Sequence, residues 1–315
     1  MIDVEPVRGT AERAAGNIEQ VIVGKRDVID LLLVALLCEG HVLIEDVPGT
    51  GKTMLAKSLA RTLDCTFRRI QFTPDLLPSD VSGVSFFNQR SQEFEFRPGP
   101  IFAQVVLADE INRATPRTQS ALLECMEERQ VSLEGETRPL PRPFMVLATQ
   151  NPIELEGTFP LPEAQLDRFL LRLSVGYPAE TDEKSILHRF RGGNPLDELP
   201  AVISASELAA MQRAVREVHV SEAVEDYIVR LVRASRLHAS LELGASPRAT
   251  LALYRCAQAM AAVRGRGYVL PDDVKRLAPS VLTHRVIATA QARLRGRGAG
   301  DVIADLLNTV PVPVE

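Results

Sequence analysis

The sequence of 315 residues has no tryptophan, only 5% aromatic residues and only four cysteines, which are scattered without Cys-x-x-Cys spacing. Cysteines in this arrangement are typical of buried free thiols in a reducing compartment. The longest apolar run, residues 31–38, is too short to span a bilayer. The N-terminus lacks the basic region and apolar core of a signal peptide. We therefore expect a cytoplasmic protein that is not inserted in a membrane.

The chain also lacks an excess of positive charge, with 36 Lys and Arg residues against 41 Asp and Glu residues. The formal net charge of −5 creates no field that favours nucleic acid or an anionic membrane. The basic stretch at residues 293–297 is short and contains no interleaved aromatic residue, so we interpret it as solvated surface. The composition is otherwise that of an ordinary globular protein, and the length favours two domains.

The first half of the chain alternates short apolar runs with helical periodicity. This alternation is typical of a parallel sheet covered by helices, and nearly continuous apolar runs indicate strands buried on both faces. An apolar helix over residues 27–37 precedes the first strand, and a proline-bearing turn at residues 176–178 ends the pattern. We therefore predict an α/β domain over residues 1–176. The predicted strands of its five-stranded parallel sheet are 41–44, 66–71, 105–108, 144–149 and 170–175.

No strand pattern returns after residue 177. The remaining sequence has helical periodicity, with Gly, Pro or Ser between the periodic segments. Pro271 opens the last of these helices, and Asp272 and Asp273 place acidic side chains in its first turn. We therefore predict a second, all-helical domain over residues 177–315. Its predicted helices are 183–190, 205–218, 222–237, 248–263 and 271–284.

A phosphate-binding loop is predicted directly after the apolar run at residues 42–44. Gly49 and Gly51 would let backbone N–H groups converge on phosphate oxygens. Lys52 would supply a cation and Thr53 a hydroxyl for Mg²⁺, at the N-terminus of a helix whose dipole favours phosphate. The strict pattern has glycine where this chain has Asp46. Because a carboxylate directed at phosphates would repel them, we expect the Asp46 side chain to point away.

Two further signals follow the phosphate loop, each at the end of an apolar strand. Asp109 and Glu110 would lie at the carboxyl edge of the sheet, beside the loop. Asp109 would hold Mg²⁺, and Glu110 would polarise the water that attacks the γ-phosphate. Asn151 ends the next strand before Pro152 and could reach that water or the γ-phosphate. Taken alone, solvated acids at a helix start and a plain Asn-Pro turn would explain the same residues.

In this order the motifs resemble those of AAA+ ATPases, and more narrowly those of the MoxR family. The resemblance implies a P-loop AAA+ domain followed by a small helical lid, with ATP and Mg²⁺ as cofactors. The segments that carry it run through nearly the whole chain in family order. They are 47–53 (Val-Pro-Gly-Thr-Gly-Lys-Thr), 109–114 (Asp-Glu-Ile-Asn-Arg-Ala), 148–152 (Ala-Thr-Gln-Asn-Pro), 160–169 (Pro-Leu-Pro-Glu-Ala-Gln-Leu-Asp-Arg-Phe) and 246–249 (Ser-Pro-Arg-Ala).

The resemblance also implies roles for individual residues. Arg168 corresponds to an arginine finger for the γ-phosphate of a neighbouring subunit, and Arg248 to a sensor 2 arginine that couples nucleotide state to the angle of the lid. Arginine suits both roles because its guanidinium is always charged and binds phosphate bidentately. Whether Arg248 acts on its own subunit or on a neighbour stays open. Val23 and Gly24 resemble the segment that contacts adenine. The implied nucleotide-binding residues are Val23, Gly24, Pro48, Gly49, Thr50, Gly51, Lys52, Thr53 and Met54; the metal ligands are Thr53 and Asp109; the catalytic residues are Glu110, Asn151, Arg168 and Arg248.

Two insertions point to one branch of the superfamily. Residues 74–104 are long for a link between the second and third strands, and their alternation Phe94-Glu95-Phe96 is compatible with a hairpin. Residues 131–140 are predicted to form a second hairpin about residues 134–136. Both resemble the helix 2 and pre-sensor 1 insertions of the branch that includes magnesium-chelatase ATPase subunits. Such hairpins line the pore of a ring or contact a client, although a purely structural hairpin would have the same pattern.

The resemblance implies an ATP-driven machine that assembles as a homo-oligomeric, hexameric ring with ATP between subunits. It would remodel or mature a client protein, metal-cofactor insertion included, with a von Willebrand factor A domain partner expected on a separate chain. A magnesium-chelatase-type subunit is one alternative, because it differs mainly in its client. A nucleic-acid-dependent motor is a second, which the negative net charge disfavours. A nucleotide-sensing scaffold is a third, disfavoured because a pure binder needs neither Glu110 nor Arg168.

Overall fold

Alternating strands and helices build the chain, whose computed structural model describes residues 3–133, 135–152 and 157–313. No helix in these ranges has both the length and the hydropathy that crossing a membrane requires. The strands are β1 (Val42–Glu45), β2 (Phe67–Gln71), β3 (Gly83–Asn88), β4 (Glu93–Pro98), β5 (Val105–Asp109), β6 (Gln130–Leu133), β7 (Glu136–Pro139), β8 (Met145–Gln150), β9 (Leu171–Leu173), β10 (Leu241–Leu243) and β11 (Ile287–Ala288). The α-helices are α1 (Glu5–Glu19), α2 (Arg26–Leu37), α3 (Lys52–Thr62), α4 (Pro78–Ser82), α5 (Pro116–Glu128), α6 (Glu163–Leu166), α7 (Glu180–Phe190), α8 (Ala205–Val215), α9 (Glu222–Leu237), α10 (Pro247–Val263), α11 (Pro271–Leu282), α12 (Ala290–Leu294) and α13 (Ala299–Thr309), with 3₁₀ turns at Ile111–Arg113 and Thr283–Arg285.

The central sheet has the strand order β2-β5-β8-β1-β9, and all neighbouring strands are parallel. Its faces belong to two separate apolar clusters: Val105 and Leu107 of β5 enter one, and Val106 and Ala108 enter the other. Because each face is covered, all five residues of β5 are buried. The predicted α/β class with a five-stranded parallel sheet is confirmed, and the apolar runs are continuous for the reason expected.

The last strand of this sheet is shorter than predicted. β9 covers only Leu171–Leu173, against an expected 170–175. The ladder ends there because the backbone N–H groups of Val175 and Gly176 donate to the carboxylate of Asp46, at 2.7 and 2.6 Å. A side chain from the end of β1 therefore satisfies the donors that a longer β9 would have paired with a neighbouring strand.

The C-terminal part of the chain is helical, as predicted, and α9 has the predicted bounds. α7 begins earlier than expected, at Glu180, and α8 ends earlier, at Val215. The structure adds a feature that the sequence pattern did not indicate, a short antiparallel pair of β10 and β11. These strands are too short, and their register too irregular, to produce a readable alternation of apolar and polar residues.

Both predicted hairpins are present. β3 and β4 pair antiparallel within the first insertion, and β6 and β7 pair antiparallel within the second. Glu134, expected in the second turn, lies outside the described residues. The hairpin strands are mostly exposed, so these segments extend from the sheet domain without contributing much to its core.

The N-terminal helix α1, which the sequence pattern did not indicate, connects the phosphate-loop helix to the C-terminal domain. Asn17 is buried, and its side-chain amide donates to Thr62 Oγ1 and to the carbonyl of Pro200, both at 2.9 Å. The N–H groups of Val202 and Ile203 donate to the carbonyl of Thr62 at 3.0 and 3.1 Å. The end of α3 is therefore fixed to the segment that leads into α8.

A buried histidine joins the amino end of the sheet to α5. His41 is 5% exposed; its Nδ1 accepts from the N–H of Val146, and its Nε2 lies 3.0 Å from the carbonyl of Met126. Because a carbonyl only accepts, Nε2 carries the proton and the ring is neutral. Burial lowers the pKa of His41 to about 4. The folded protein therefore holds the His41 imidazole in its neutral form.

We expect His41 to make the protein less stable in mild acid. Its folded-state pKa lies below the ordinary unfolded value, so its contribution is complete above pH ~6.5 and is lost as the pH falls toward 4. His41→Gln, whose amide can also donate and accept, should reduce the pH slope of the unfolding free energy by up to about 1.4 kcal/mol per pH unit between these values. Urea denaturation at several pH values measures that slope. The exposed His188→Gln should retain the wild-type slope, and equal slopes for all three proteins would contradict this assignment.

Candidate nucleotide-binding and hydrolysis site

The predicted phosphate loop lies between β1 and α3, at the carboxyl edge of the sheet. Gly49 and Gly51 have φ values of +84° and +88°, and Gly51 is the N-cap of α3. L side chains rarely adopt this conformation, so glycine is required for the loop to turn its N–H groups inward. The helix therefore begins at Lys52 with its unpaired N–H groups at the loop, an arrangement that favours an anion.

Lys52 lies against the inside of this loop. Its ammonium group donates to the carbonyl of Val47 at 2.7 Å and to that of Asp46 at 3.1 Å. The loop borders a cleft of about 390 Å³. The predicted residues that line it are Pro48, Gly49, Gly51, Lys52, Thr53, Met54, Asp109, Glu110 and Asn151.

The carboxylate of Asp46 points away from the loop interior, as expected on electrostatic grounds. It is 7% exposed, and besides Val175 and Gly176 it accepts from the N–H of Val47 at 2.9 Å. Gly176, with φ of +64°, follows β9 and precedes the first helix of the C-terminal domain. Asp46 thus joins the start of the phosphate loop to the connection between the two domains.

Asp109 is held at the end of β5 by two neighbouring strands. Its Oδ1 accepts from Thr149 Oγ1 on β8 at 2.6 Å, and its Oδ2 accepts from Arg69 Nε and Nη2 on β2 at 2.9 and 2.6 Å. The carboxylate is nearly buried, with a side-chain exposure of 12%. Sequence reasoning missed both Arg69, which lies in the middle of β2, and Thr149, which lies one residue before the end of β8.

Glu110 follows directly in the left-handed region, with φ of +58°. Its N–H donates to Thr149 Oγ1 at 2.8 Å, so one hydroxyl orients both acids. Its carboxylate accepts from Gln71 Nε2 at 2.9 Å and pairs with Arg113 Nε at 3.1 Å. Glu110 therefore faces the cleft while being held at its edge. Gln71 was also missed, because its role depends on the pairing of β2 with β5.

The oxygen donors of this cleft fit Mg²⁺. Magnesium prefers oxygen ligands and is held by one or two protein groups together with water and substrate phosphates. Thr53 and Asp109 contribute a hydroxyl and a carboxylate to the cleft that Lys52 also lines. In the described ranges, no cluster of three or more His, Cys, Asp or Glu side chains could hold a metal by itself. The donor set therefore suits a metal that arrives with a phosphate ligand.

Three predicted nucleotide-binding residues are not among the cleft residues. Thr50 donates through Oγ1 to the carbonyl of Val47 at 3.4 Å. Val23 and Gly24 lie in the turn before α2, where Gly24 has φ of +67° and a Cβ would approach the Asp182 carboxylate to 2.1 Å. Gly24 thus packs against α7, at the start of the C-terminal domain. The contact of Val23 and Gly24 with adenine stays a prediction.

Arg168 and Arg248 also lie outside this cleft, and both pair with the same carboxylate, that of Glu127. Arg168 Nε pairs with Glu127 Oε2 at 3.0 Å, and Arg248 Nη2 donates to Glu127 Oε1 at 2.6 Å. The first arginine follows α6, the second begins α10, and the shared carboxylate is on α5. Each guanidinium is partly exposed. The structure therefore brings the two arginines together, but not to the phosphate loop of the same chain.

The sheet order, the phosphate loop after β1, the acids after β5 and the following helical domain define a P-loop protein of the AAA+ class. Comparison with known families agrees: residues 41–171 match the ATPase family associated with various cellular activities, and residues 233–306 match an AAA lid domain. The helices over residues 233–306 therefore belong to the lid. In a crystal structure, a candidate ATPase from Cytophaga hutchinsonii superposes with a TM-score of 0.91 at 40% identity, covering 98% of this chain and 96% of that one.

Sequence relatives narrow the class to a family. Chaperone MoxR1 of Mycobacterium tuberculosis is 44% identical over 96% of this chain and 82% of its own length. Protein MoxR of Paracoccus denitrificans is 32% identical over 95% of both chains. The uncharacterised YeaC of Bacillus subtilis is 49% identical over 99% of this chain and 97% of its own. The chain belongs to the MoxR family of AAA+ ATPases, and it binds nucleotide as members of that class do.

Asp46→Asn should weaken the link between the phosphate loop and the lid connection. An amide has one acceptor oxygen, so its NH₂ group would face a backbone N–H in a buried position. We expect a loss of about 1–3 kcal/mol in unfolding free energy, measured by urea denaturation. The exposed Asp64→Asn, at the end of α3, is the matched control and should stay near wild type. A wild-type value for Asp46→Asn would show that these hydrogen bonds contribute little.

Proposed function

We propose that this chain hydrolyses ATP with Mg²⁺ at the subunit interfaces of a homo-oligomeric ring, with six subunits, and uses the energy to remodel or mature a client protein in the cytoplasm. One observation carries the proposal. Arg168 and Arg248 lie together at Glu127, outside the cleft of their own chain. Two guanidinium groups that are suited to phosphate, yet do not line the cleft of their own chain, fit a cleft on another subunit.

Within each subunit the cleft would bind the triphosphate. Lys52 would leave the carbonyls of its own loop for the β- and γ-phosphates, whose charge is the stronger partner. Thr53 and Asp109 would hold Mg²⁺, which supplies positive charge at the phosphate oxygens. Thr149 and Arg69 would orient the Asp109 carboxylate at the edge of the cleft.

Glu110 would act as the general base. A base must reach the attacking water, and Glu110 lines the same cleft as Lys52 and Asn151. Its backbone is fixed by Thr149, while Gln71 and Arg113 hold the carboxylate at the cleft edge. Asn151 would orient the water or the γ-phosphate through its amide.

The two arginines would complete the site of the neighbouring subunit. Charge on the γ-phosphate oxygens rises in the transition state, and a preorganised guanidinium stabilises that charge. Because Arg248 shares its carboxylate partner with Arg168, we propose that it too acts on the neighbour.

The two hairpins would contact the client. Phe87 and Phe94 form an edge-to-face pair on the β3–β4 hairpin and are 51% and 74% exposed. The guanidinium of Arg138 on β7 lies 4.3 Å from the ring centre of Phe96 on β4, which links the two hairpins. Exposed aromatic pairs of this kind are common in protein-binding surfaces. A separate von Willebrand factor A domain protein and metal-cofactor insertion belong to the same proposal.

Glu110→Gln should bind ATP normally but abolish steady-state hydrolysis, because an amide cannot accept the proton of the attacking water. The surface substitution Glu124→Gln on α5 is the matched control and should hydrolyse ATP at the wild-type rate. Phosphate release measures turnover, and fluorescent ATP titration measures binding. Wild-type turnover in Glu110→Gln would refute the role of Glu110 as the base.

The same variant can test the remodelling function. A ring stalled with ATP should retain its client, so affinity purification of Glu110→Gln should recover partners with ATP and release them with ADP. Lys52→Ala, in which nucleotide binding is lost, is the negative control. Recovery of the same proteins from both variants, or of this chain alone, would contradict client remodelling.

Arg168→Ala should leave ATP affinity near the wild-type value and lower kcat by about 10³-fold, the lower end of what an arginine finger contributes. The Arg168 side chain is partly exposed and pairs with Glu127, so circular dichroism and mass photometry are used to check the folding and assembly of the variant. A normal kcat in an assembled ring would overturn the proposed role of Arg168.

A further inference from the structure

The segment that carries Arg168 is attached to the lid through a buried arginine. Arg285 ends the 3₁₀ turn after α11, and its side chain is only 2% exposed. Its Nε donates to Asp167 Oδ1 at 2.7 Å, while its remaining N–H groups donate to backbone carbonyls on both sides of Arg168. These carbonyls are Asp167 at 3.3 Å, Phe169 at 2.5 Å and Leu170 at 3.0 Å, with Val281 within the lid itself.

Two further lid residues hold the same segment. His284 Nε2 lies 3.0 Å from the carbonyl of Phe169, and it must be the donor because a carbonyl only accepts. Ser246 Oγ donates to Asp167 Oδ2 at 3.1 Å. Both oxygens of Asp167 are therefore used by the lid, one by Arg285 and the other by Ser246 at the start of α10. Two separate lid elements thus fix residues 167–170.

The Arg168 side chain itself extends away from this contact, toward Glu127. Its backbone neighbours are bonded to the lid, whereas its guanidinium pairs with α5 and lies beside Arg248. The position of the guanidinium therefore depends on a segment that the lid holds. Moving the Arg285 side chain away from these acceptors would leave a buried charge without partners, which is costly.

The same lid is connected at its other end to the phosphate loop. Asp46 accepts from Val175 and Gly176, where the chain leaves β9 for α7. A change at the phosphate loop can therefore reach the lid connection through Asp46. From the lid it can reach Arg168 through Arg285 and Asp167.

We propose that Asp167 and Arg285 are positioning residues through which the lid of each subunit sets the position of that subunit's Arg168. The inference rests on the proposed function, since Arg168 has a reaction to serve only if a neighbouring subunit binds ATP. Nucleotide binding in one cleft would then set the position of the guanidinium that serves the next cleft. We refer to this contact as the Asp167–Arg285 joint.

The joint is tested with Arg285→Lys, which keeps the charge but has three N–H donors in place of five, so it cannot satisfy Asp167 and all four backbone carbonyls. We expect kcat to fall by about 10- to 100-fold, as small misplacements of catalytic groups do, with the Kd for ATP within about twofold of wild type. Asp167→Asn is the second variant and should lower kcat in the same way. Either variant is assessed as the full chain, after mass photometry shows normal assembly.

The matched control is Arg266→Lys. Arg266 forms a comparable bidentate pair with Asp273, which is fully buried, but both residues belong to the lid. Loss of this pair disturbs the lid without touching the segment of Arg168. Its kcat should therefore stay within about twofold of wild type, although its stability should fall.

Mixing subunits separates a displaced Arg168 from a damaged cleft. Glu110→Gln cannot hydrolyse ATP but has an intact Arg168, so in mixed rings it can serve the intact cleft of an Arg285→Lys subunit. Arg168→Ala mixed with Glu110→Gln is the benchmark for such rescue. We expect the Arg285→Lys mixture to regain activity to the same extent as the benchmark.

The other outcomes would contradict the joint, or the proposed interface site together with the joint. A wild-type kcat for Arg285→Lys and Asp167→Asn overturns the joint, and so does low activity that mixing does not rescue while the benchmark is rescued. If Arg168→Ala alone has full activity, or its own mixture is not rescued, the interface site of the proposed function fails and the joint fails with it. The two failures are therefore distinguishable.

Discussion

The geometry of the site depends on one constraint, which is that parallel strands deliver their following residues to a single edge of the sheet. With the order β2-β5-β8-β1-β9, the ends of four adjacent strands meet there in sequence. The phosphate loop follows β1, Thr149 lies near the end of β8 and Asn151 follows it, Asp109 ends β5 and Glu110 follows it, and Arg69 lies on β2. Neighbouring strands lie about 4.8 Å apart. Side chains on adjacent strands can therefore pair, as Thr149 does with Asp109 and Asp109 does with Arg69.

The parts that sequence reasoning predicted are those encoded within one short segment. Apolar runs located all five central strands, and Gly49 and Gly51 located the phosphate loop. Charge repulsion alone predicted the direction of Asp46. The parts it missed depend on pairing between distant segments. Glu127 is one of several acids on α5, and no local pattern distinguishes it from Glu124 until the fold brings Arg168 and Arg248 to it.

The same limit explains two smaller differences. β9 ends early because Asp46, distant in sequence, takes the N–H groups that would have continued the ladder. No sequence pattern distinguishes Arg285 from the other arginines of the lid. Its partners are mostly backbone carbonyls, which every residue has. Contacts to backbone therefore need the structure, whereas contacts between motif residues of one sheet edge follow from strand order alone.

The net charge of the Arg168–Arg248–Glu127 cluster favours an anionic ligand. One Glu127 carboxylate between two guanidinium groups leaves a net positive charge on a partly exposed surface. The chain as a whole is negative, whereas this pair carries an excess positive charge that favours an anion such as phosphate. In the proposed interface site, the triphosphate bound to another copy would compete with Glu127 for both arginines. Because the arginine pair lies outside the cleft of its own chain, such a contact would be head-to-tail, the kind of contact that closes into a ring when the rotation between copies allows it.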